Sequence, residues 1–438
     1  MVEDALDDEP HVPVQPQKLL QLLGPGLLTG ASDDDPSGIA TYSQAGAQFG
    51  VNLGWTLLFS WPLMCAIQEI SARIGRVTGR GIAGNLKQHY PAVIVYGLVS
   101  LLLVANTINL GADIGAMGAA LQLVLGNGDP AHGGPQLVYV AAFTVVVVLL
   151  EIFVSYARYV AVLKWLTLSL FAYVAVALVV RTPWAAVAYH LVVPDISLSK
   201  AYLTVVVAVL GTTISPYLFF WQAEEEVEEV KEEPGAKPLT RAPRQAKREF
   251  GRIRLDTYLG MAFSNIVAIF IVITTAVTLH AHNITDIQTS SQAAQALKPI
   301  AGPFAFTLFA VGIIGCGLLA VPVLAASAAY ALGEAFGFHV GLTRKPARAK
   351  TFYAAIATAG VVGSLINVVH IDPMKALFWS AVINGVTAVP IMVMIMHLGS
   401  HEPAMGQYVI TPGLKLIGWI ATVVMAVAAV GMFATMGS

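Results

Sequence analysis

The chain is expected to be an all-α polytopic membrane protein in which two spanning helices are broken near the middle of the bilayer. Three observations lead there. Of 438 residues, 56% are hydrophobic and only 11% are charged, with mean hydropathy +0.71; soluble domains carry about 25% charged residues. Apolar runs of roughly 20 residues, the length that crosses a bilayer, recur along the chain. Two of those runs, Thr29–Thr41 and Gly211–Tyr217, hold proline, glycine and polar residues at their centres. The net charge of −2 says nothing of partners. Cys65 and Cys316 both lie in apolar runs, giving neither a disulfide framework nor a thiolate metal site.

The first break organises the rest. Thr29–Thr41 reads TGASDDDPSGIAT, with Asp33, Asp34 and Asp35 consecutive inside an apolar segment. A carboxylate at that depth costs roughly 2.5–3.5 kcal/mol, so it is expected to face a wet cavity and serve an ion or a proton. Pro36 removes a backbone donor and Gly38 loosens the backbone. The expected product is two half-helices joined by an extended segment with free carbonyls. The acidic residues 1–17, which lack the basic start of a cleaved leader, are expected to form a mobile cytoplasmic tail.

Ten further spans are expected near 52–76, 91–119, 136–155, 158–180, 201–222, 254–279, 303–335, 351–370, 374–397 and 412–435. Gly315, Gly317 and Pro322 predict a kink in the eighth. With a cytoplasmic N-terminus, almost all Lys and Arg fall on the inner side, including Arg73, Arg76, Arg80, Lys87 and the set from Lys231 to Arg254. Only Arg181, Lys200, Lys298 and Lys375 are left outside. That asymmetry fits the positive-inside rule and places the C-terminus outside, in a plasma (inner) membrane. Residues 223–250 pass from an acidic block to a basic one and are expected to be a charged cytoplasmic loop.

If the first break serves an ion, an inverted repeat demands a second one half a chain later. Gly211, Thr212, Thr213, Ser215 and Pro216 supply it in the sixth span. The chain then divides into a five-helix repeat at 18–180, a second at 201–397 and an additional helix at 412–435.

These residues carry a resemblance. GPGLL at 24–28, Asp35-Pro36 followed by QAGAQFG, QEISARIGRVTGRGIAG and HYP up to Pro91, and GTTISP at 211–216 resemble the NRAMP family of divalent-metal transporters. The resemblance implies the LeuT-type fold and no enzymatic activity. It also implies a transported Mg²⁺ or Mn²⁺ as substrate with no cofactor, the lipid bilayer as surroundings, and neither nucleic acid nor an obligate protein partner. Where the family has Asp-Pro-Gly-Asn and Met-Pro-His, this chain has Asp35-Pro36-Ser37-Gly38 and Ser215-Pro216-Tyr217. The resemblance thus makes Asp35 the principal metal ligand, with backbone carbonyls at Ser32 and Thr212. Gly38 stands in the place of an Asn ligand and Ser215 in that of a Met ligand. Asp33 and Asp34 would hold water around the ion, and Asn384 falls near a metal-proximal Gln of the family.

The departures have chemical content. A thioether favours transition metals; without it the ligands are carboxylate, hydroxyl and carbonyl oxygens. Mg²⁺ keeps several waters and needs room, which Gly38 provides. The pattern resembles the NRAMP-related magnesium transporters. The family's titratable pair in the third span is replaced by Asn109 and Ala112, its sixth-span His by Tyr217, and the ninth span has no Lys or Arg. Transport without proton coupling is the expectation, and Asp113 is read as facing about 100° away from the Ala112 position, as a contributor to the vestibule or a partner for a helix hydroxyl.

Other readings are a proton-coupled Mn²⁺/Fe²⁺ importer of the same family, an amino-acid transporter of the same fold, and an intramembrane aspartyl protease. Three aspartates would repel a substrate carboxylate, and no second aspartate has a protease-like setting. Glu69 is expected to pair with Arg73 at i+4. Asn106 and Asn265 are expected to join helices.

Overall fold

The computed structural model describes Gly30 and residues 33–154, 166–342, 344, 346–369 and 371–436. Among these residues there are helices and turns and no strand.

Helix α1, Pro36–Phe49, starts where Pro36 occupies its first position behind the Asp35 cap, the place where a missing N–H costs nothing. It ends at Gly50 with φ 63°, and a 3₁₀ turn leads into α2, Gly54–Thr78. A short α3, Ile82–His89, precedes α4, Ala92–Leu125, and α5, Gln136–Phe153. Helix α6, Phe171–Val179, is followed at a bend of 118° by α7, Trp184–Val192. Then come α8, Lys200–Thr213, and α9, Pro216–Glu232, separated by Ile214 and Ser215. The remaining long helices are α10, Ala246–Thr278; α11, Ala305–Phe336, with Pro322 inside; α12, Lys350–Leu365; α13, Pro373–Gly399; and α14, Pro412–Met436.

Eleven spans were expected; among the described residues nine helical stretches are long and apolar enough, or ten if α6 and α7 count as one. The difference has two sources. Residues 36–78 form one stretch holding α1 and α2, and the half-helix before Asp35 falls largely outside the described residues. Residues 155–165 of the expected fifth span also lie outside them, and what is described is the 3₁₀ turn Thr167–Leu170 and the nine residues of α6.

The charged segment 223–250 is not a loop through most of its length. Helix α9 continues to Glu232 and α10 begins at Ala246, because the two charge blocks neutralise one another between helices. Arg252 of α10 meets Glu226 at 2.5 Å, Glu229 at 2.8 Å and Glu249 at 3.0 Å. Arg76 of α2 reaches Glu249 at 3.2 Å. The Glu69–Arg73 pair forms at 2.5 Å, with Arg254 adding a contact at 3.5 Å.

Elsewhere the helices join through small residues and amides, the means available where lipid is as apolar as the side chains. A side chain at Gly211 of α8 would overlap the Ala381 carbonyl and approach Gly385 of α13. Asn106 of α4 donates to the Leu324 carbonyl at 3.1 Å and Ser327 at 2.8 Å on α11. Asn265 of α10 donates to the Leu57 carbonyl at 2.9 Å. Both amides join helices as their setting predicted.

Candidate metal site at the helix breaks

Asp35 sits one residue before α1 and is 1% exposed. Its Oδ1 accepts from the Ser37 hydroxyl and the Gly38 N–H, both at 2.7 Å. Its Oδ2 accepts from Asn109 Nδ2 of α4 at 3.0 Å, and Ser380 of α13 donates to Asn109 Oδ1 at 2.7 Å. The carboxylate is therefore oriented by its own helix N-terminus on one side and by a relay of amide and hydroxyl on the other. That N-terminus favours negative charge.

The second break lies against the first. A Cβ built at Gly38 would stand 3.2 Å from Thr212 Oγ1 of α8, 3.3 Å from the Tyr42 ring and 3.5 Å from Asp35 Oδ1. Any side chain there would fill the space between the two broken helices. At the break itself Ser215 turns its hydroxyl onto the carbonyls of Gly211 and Thr212, 2.8 Å from each. A hydroxyl that donates in this way keeps its oxygen lone pairs, so Ser215 and the Thr212 carbonyl stay available to a cation.

Asn384 of α13 lies one turn beyond Ser380, and both ends of its amide are buried without a partner. Both oxygens of Asp113 are likewise buried, with no side-chain partner. Its surroundings include the Asp35 carboxylate and the Ser37 backbone, which fits a contributor to the vestibule, one of the two roles the sequence leaves open for it. Measured from Ala112 it is one residue, or 100°, off; measured from Asn109, which touches Asp35, it is four residues on and about 40° off. The i, i+4 relation to Asn109 was present in the sequence, and the family's i, i+3 pair hid it. Tyr217 is buried within electrostatic reach of Asp35, Asp33 and Asp113.

Asp33 and Asp34 are drawn to one hydroxyl: Ser264 of α10 lies 2.7 Å from Asp33 Oδ2 and 3.0 Å from Asp34 Oδ1. Ser32 lies outside the described residues. No group of three or more His, Cys, Asp or Glu side chains converges as a metal cluster among the described residues. The arrangement is instead one oriented carboxylate surrounded by hydroxyls, carbonyls, an amide and a second carboxylate. A cavity of about 460 Å³, lined by Ala40, Gln44, Thr204, Val205 and Phe378 among others, lies one to two turns from the breaks along α1 and α8.

Membrane-length helices, with the break between α8 and α9 lying beside the buried Asp35 carboxylate at the start of α1, define a helical membrane protein with an ion-site architecture. The chain belongs to the Nramp family: the model for natural resistance-associated macrophage protein-like sequences matches residues 26–435. It is 26% identical over 407 residues to the "Divalent metal cation transporter MntH" of Burkholderia ambifaria, covering 93% of this chain and 87% of that one. The protein of the same name from Deinococcus radiodurans is 24% identical over 412 residues, covering 93% and 88%. Among solved structures, a manganese transporter of Eremococcus coleocola superposes with TM-score 0.69 at 18% identity, covering 98% of this chain and 91% of that one. Mhp1, a nucleobase-cation-symport-1 family transporter, superposes with TM-score 0.58 at 14% identity, covering 94% and 92%. These likenesses establish the LeuT-type fold.

Proposed function

We propose that the chain carries divalent metal cations across a membrane, Mg²⁺ and Mn²⁺ foremost, by alternating access around the site where α1 and the α8–α9 pair begin and end. The observation that carries this reading is Asp35, held beside Gly38 at the start of α1 with Thr212 of the other break close by, and with Asp113 and Asn384 buried nearby. Membership of the Nramp family and the printed names of the relatives support the metal class. The oxygen-only ligand set supports a hard, partly hydrated ion, and any side chain at Gly38 would crowd Thr212 and Tyr42 beside it. Asp35, Thr212, Ser215 and Asn384 would be the ligands from the described residues, Ser32 a further carbonyl ligand, and Asp33 and Asp34 holders of water.

Transport is proposed to run without stoichiometric proton coupling, since Asn109, Ala112 and Tyr217 occupy the family's relay positions. The membrane potential alone supplies about 4.6 kcal/mol for a divalent ion at 100 mV, enough for roughly thousandfold accumulation. Asp113 favours the second reading, a proton-coupled importer, because it places a titratable group beside Asp35. Proteoliposomes with a clamped potential and an internal pH reporter decide between them. Mg²⁺ and Mn²⁺ influx without acidification is expected. Acidification proportional to flux and abolished by Asp113→Asn would overturn the uncoupled reading. The N-terminus is placed in the cytoplasm and the C-terminus outside, on the distribution of Lys and Arg.

A further inference from the structure

The acidic block of α9 has two faces, and only one of them is neutralised. Glu226 and Glu229 meet Arg252 of α10, and Glu233 meets Arg248 at 3.0 Å. Glu224 points elsewhere, to the junction of α3 with the end of α11. There Glu334 of α11 accepts from the Gly81 N–H at 2.8 Å and the Gly84 N–H at 2.7 Å. An atom built as Cβ on Gly81 would overlap Glu224 Oε1 and lie 2.5 Å from Glu334 Oε2. The two carboxylates therefore crowd one point above the α3 N-terminus.

Glu224 is 2% exposed, and no N–H or hydroxyl group donates to either of its oxygens, its hydrogen-bonding neighbour being the Glu334 carboxyl itself. The neighbouring cation, Lys231, is engaged with Glu228 at 2.8 Å. Glu225, Tyr330 and Tyr353 are further titratable groups near this part of α9 and α11. Arg344 lies by Glu228 at Gly341, and Lys87 reaches the C-terminus of α11 at Gly337. Lys231 and Arg344 lie by Glu228, and Glu224 makes no ion pair of its own; a buried charge left uncompensated is strongly destabilising.

We infer that Glu224 and Glu334 form a second divalent-cation site, distinct from the breaks and nine residues beyond Ser215 on α9, about 13 Å along the helix. Two carboxylates with water in the remaining positions suit Mg²⁺ and Mn²⁺, and Mg²⁺ is commonly held by only one or two carboxylates. Glu334 is pre-oriented by two backbone donors, and Glu224 takes no N–H or hydroxyl donor. That the site lies on the exit route of a transported ion rests on the function proposed above; that it binds a cation does not.

The test is Mn²⁺ titration of the purified full-length protein, read by calorimetry and by the electron paramagnetic resonance of free Mn²⁺. In Asp35→Asn protein one site is expected to persist, and adding Glu224→Gln or Glu334→Gln is expected to weaken it at least tenfold. In otherwise wild-type protein Glu224→Gln is expected to lower the stoichiometry from two to one. If Asp35→Asn protein binds no Mn²⁺, or binds it equally with either glutamine, the second site does not exist. Proton uptake by the pair without Mn²⁺ binding also overturns it. Absence of flux with two Mn²⁺ bound would refute the transport reading and leave this site standing.

Discussion

Replacing Asp35 by asparagine separates the charge of the site from its architecture. In the parent, Oδ1 takes the Ser37 hydroxyl and Gly38 N–H, and Oδ2 takes Asn109 Nδ2. Asparagine keeps an oxygen for the first two donors. Its amide would oppose that of Asn109, but Asn109 can turn its amide by 180° and present oxygen instead. Its nitrogen then faces Ser380 Oγ, which already donates to the Leu377 carbonyl at 2.7 Å and so can accept. Every partner is satisfied again. Asparagine caps helices about as well as aspartate, so stability should change by less than about 1 kcal/mol.

What disappears is one negative charge. Removing one partner of a buried ion pair costs about 3–5 kcal/mol, which at 1.4 kcal/mol per decade raises Kd about 10²- to 3 × 10³-fold. Asp35→Ala, by contrast, leaves three donors without an acceptor. It should lose the cap, about 1 kcal/mol, and a further 1–3 kcal/mol or so for each buried donor left without a partner. Calorimetric Mn²⁺ titration beside thermal melts in detergent measures both quantities. An Asp35→Asn protein that transports Mn²⁺ saturably with Kd within tenfold of the parent would refute the assignment of Asp35.

Three further outcomes are expected. Ser215→Met with Gly38→Asn should raise Mn²⁺ or Cd²⁺ affinity relative to Mg²⁺, through the soft ligand and the lost room for water; an unchanged Mn²⁺-to-Mg²⁺ ratio by calorimetry would count against both positions. Arg252→Ala should cost about 3–5 kcal/mol, because Glu226 is left buried without its ion-pair partner. Arg248→Ala, at a side chain 60% exposed, should cost less than about 1 kcal/mol, and equal losses in thermal melts would defeat the burial argument. Asp113→Asn should weaken divalent binding at least tenfold while leaving the flux free of proton movement; unchanged Kd would remove Asp113 from the site.

The breaks were legible because proline and glycine act locally: Asp35-Pro36 and Ser215-Pro216 announce a cap and a first helical position wherever they occur. Amides such as Asn106 were legible because an isolated polar group in an apolar helix needs a partner. The course of α9 was not. Glutamates in sequence read as solvated, and only the fold brings Arg252 and Arg76 against them. Helix α7 was missed because nine residues between Pro183 and Pro194 carry too little periodicity to distinguish helix from loop. The phase of Asp113 on α4 is fixed by Asn109, which touches Asp35, and not by the family's positions.

That phase bears on what Asp113 does. A divalent ion bound by Asp35 alone would carry a net positive charge inside a low-dielectric bundle, where uncompensated charge is expensive. A second carboxylate about 6 Å from the ion contributes about 5.5 kcal/mol of attraction at an effective dielectric of 20. Asp33 and Asp34 are engaged by Ser264, whereas Asp113 has no side-chain donor and only the Ser37 backbone beside it. A counter-charge of this kind needs neither a proton nor an onward acceptor. In α12 the only basic residue is Lys350 at its first position. Asp113 beside Asp35 can serve as counter-charge or as relay, and the two roles separate in one variant. Loss of the counter-charge raises Kd with no change in lumen pH, while loss of a relay abolishes acidification with Kd retained.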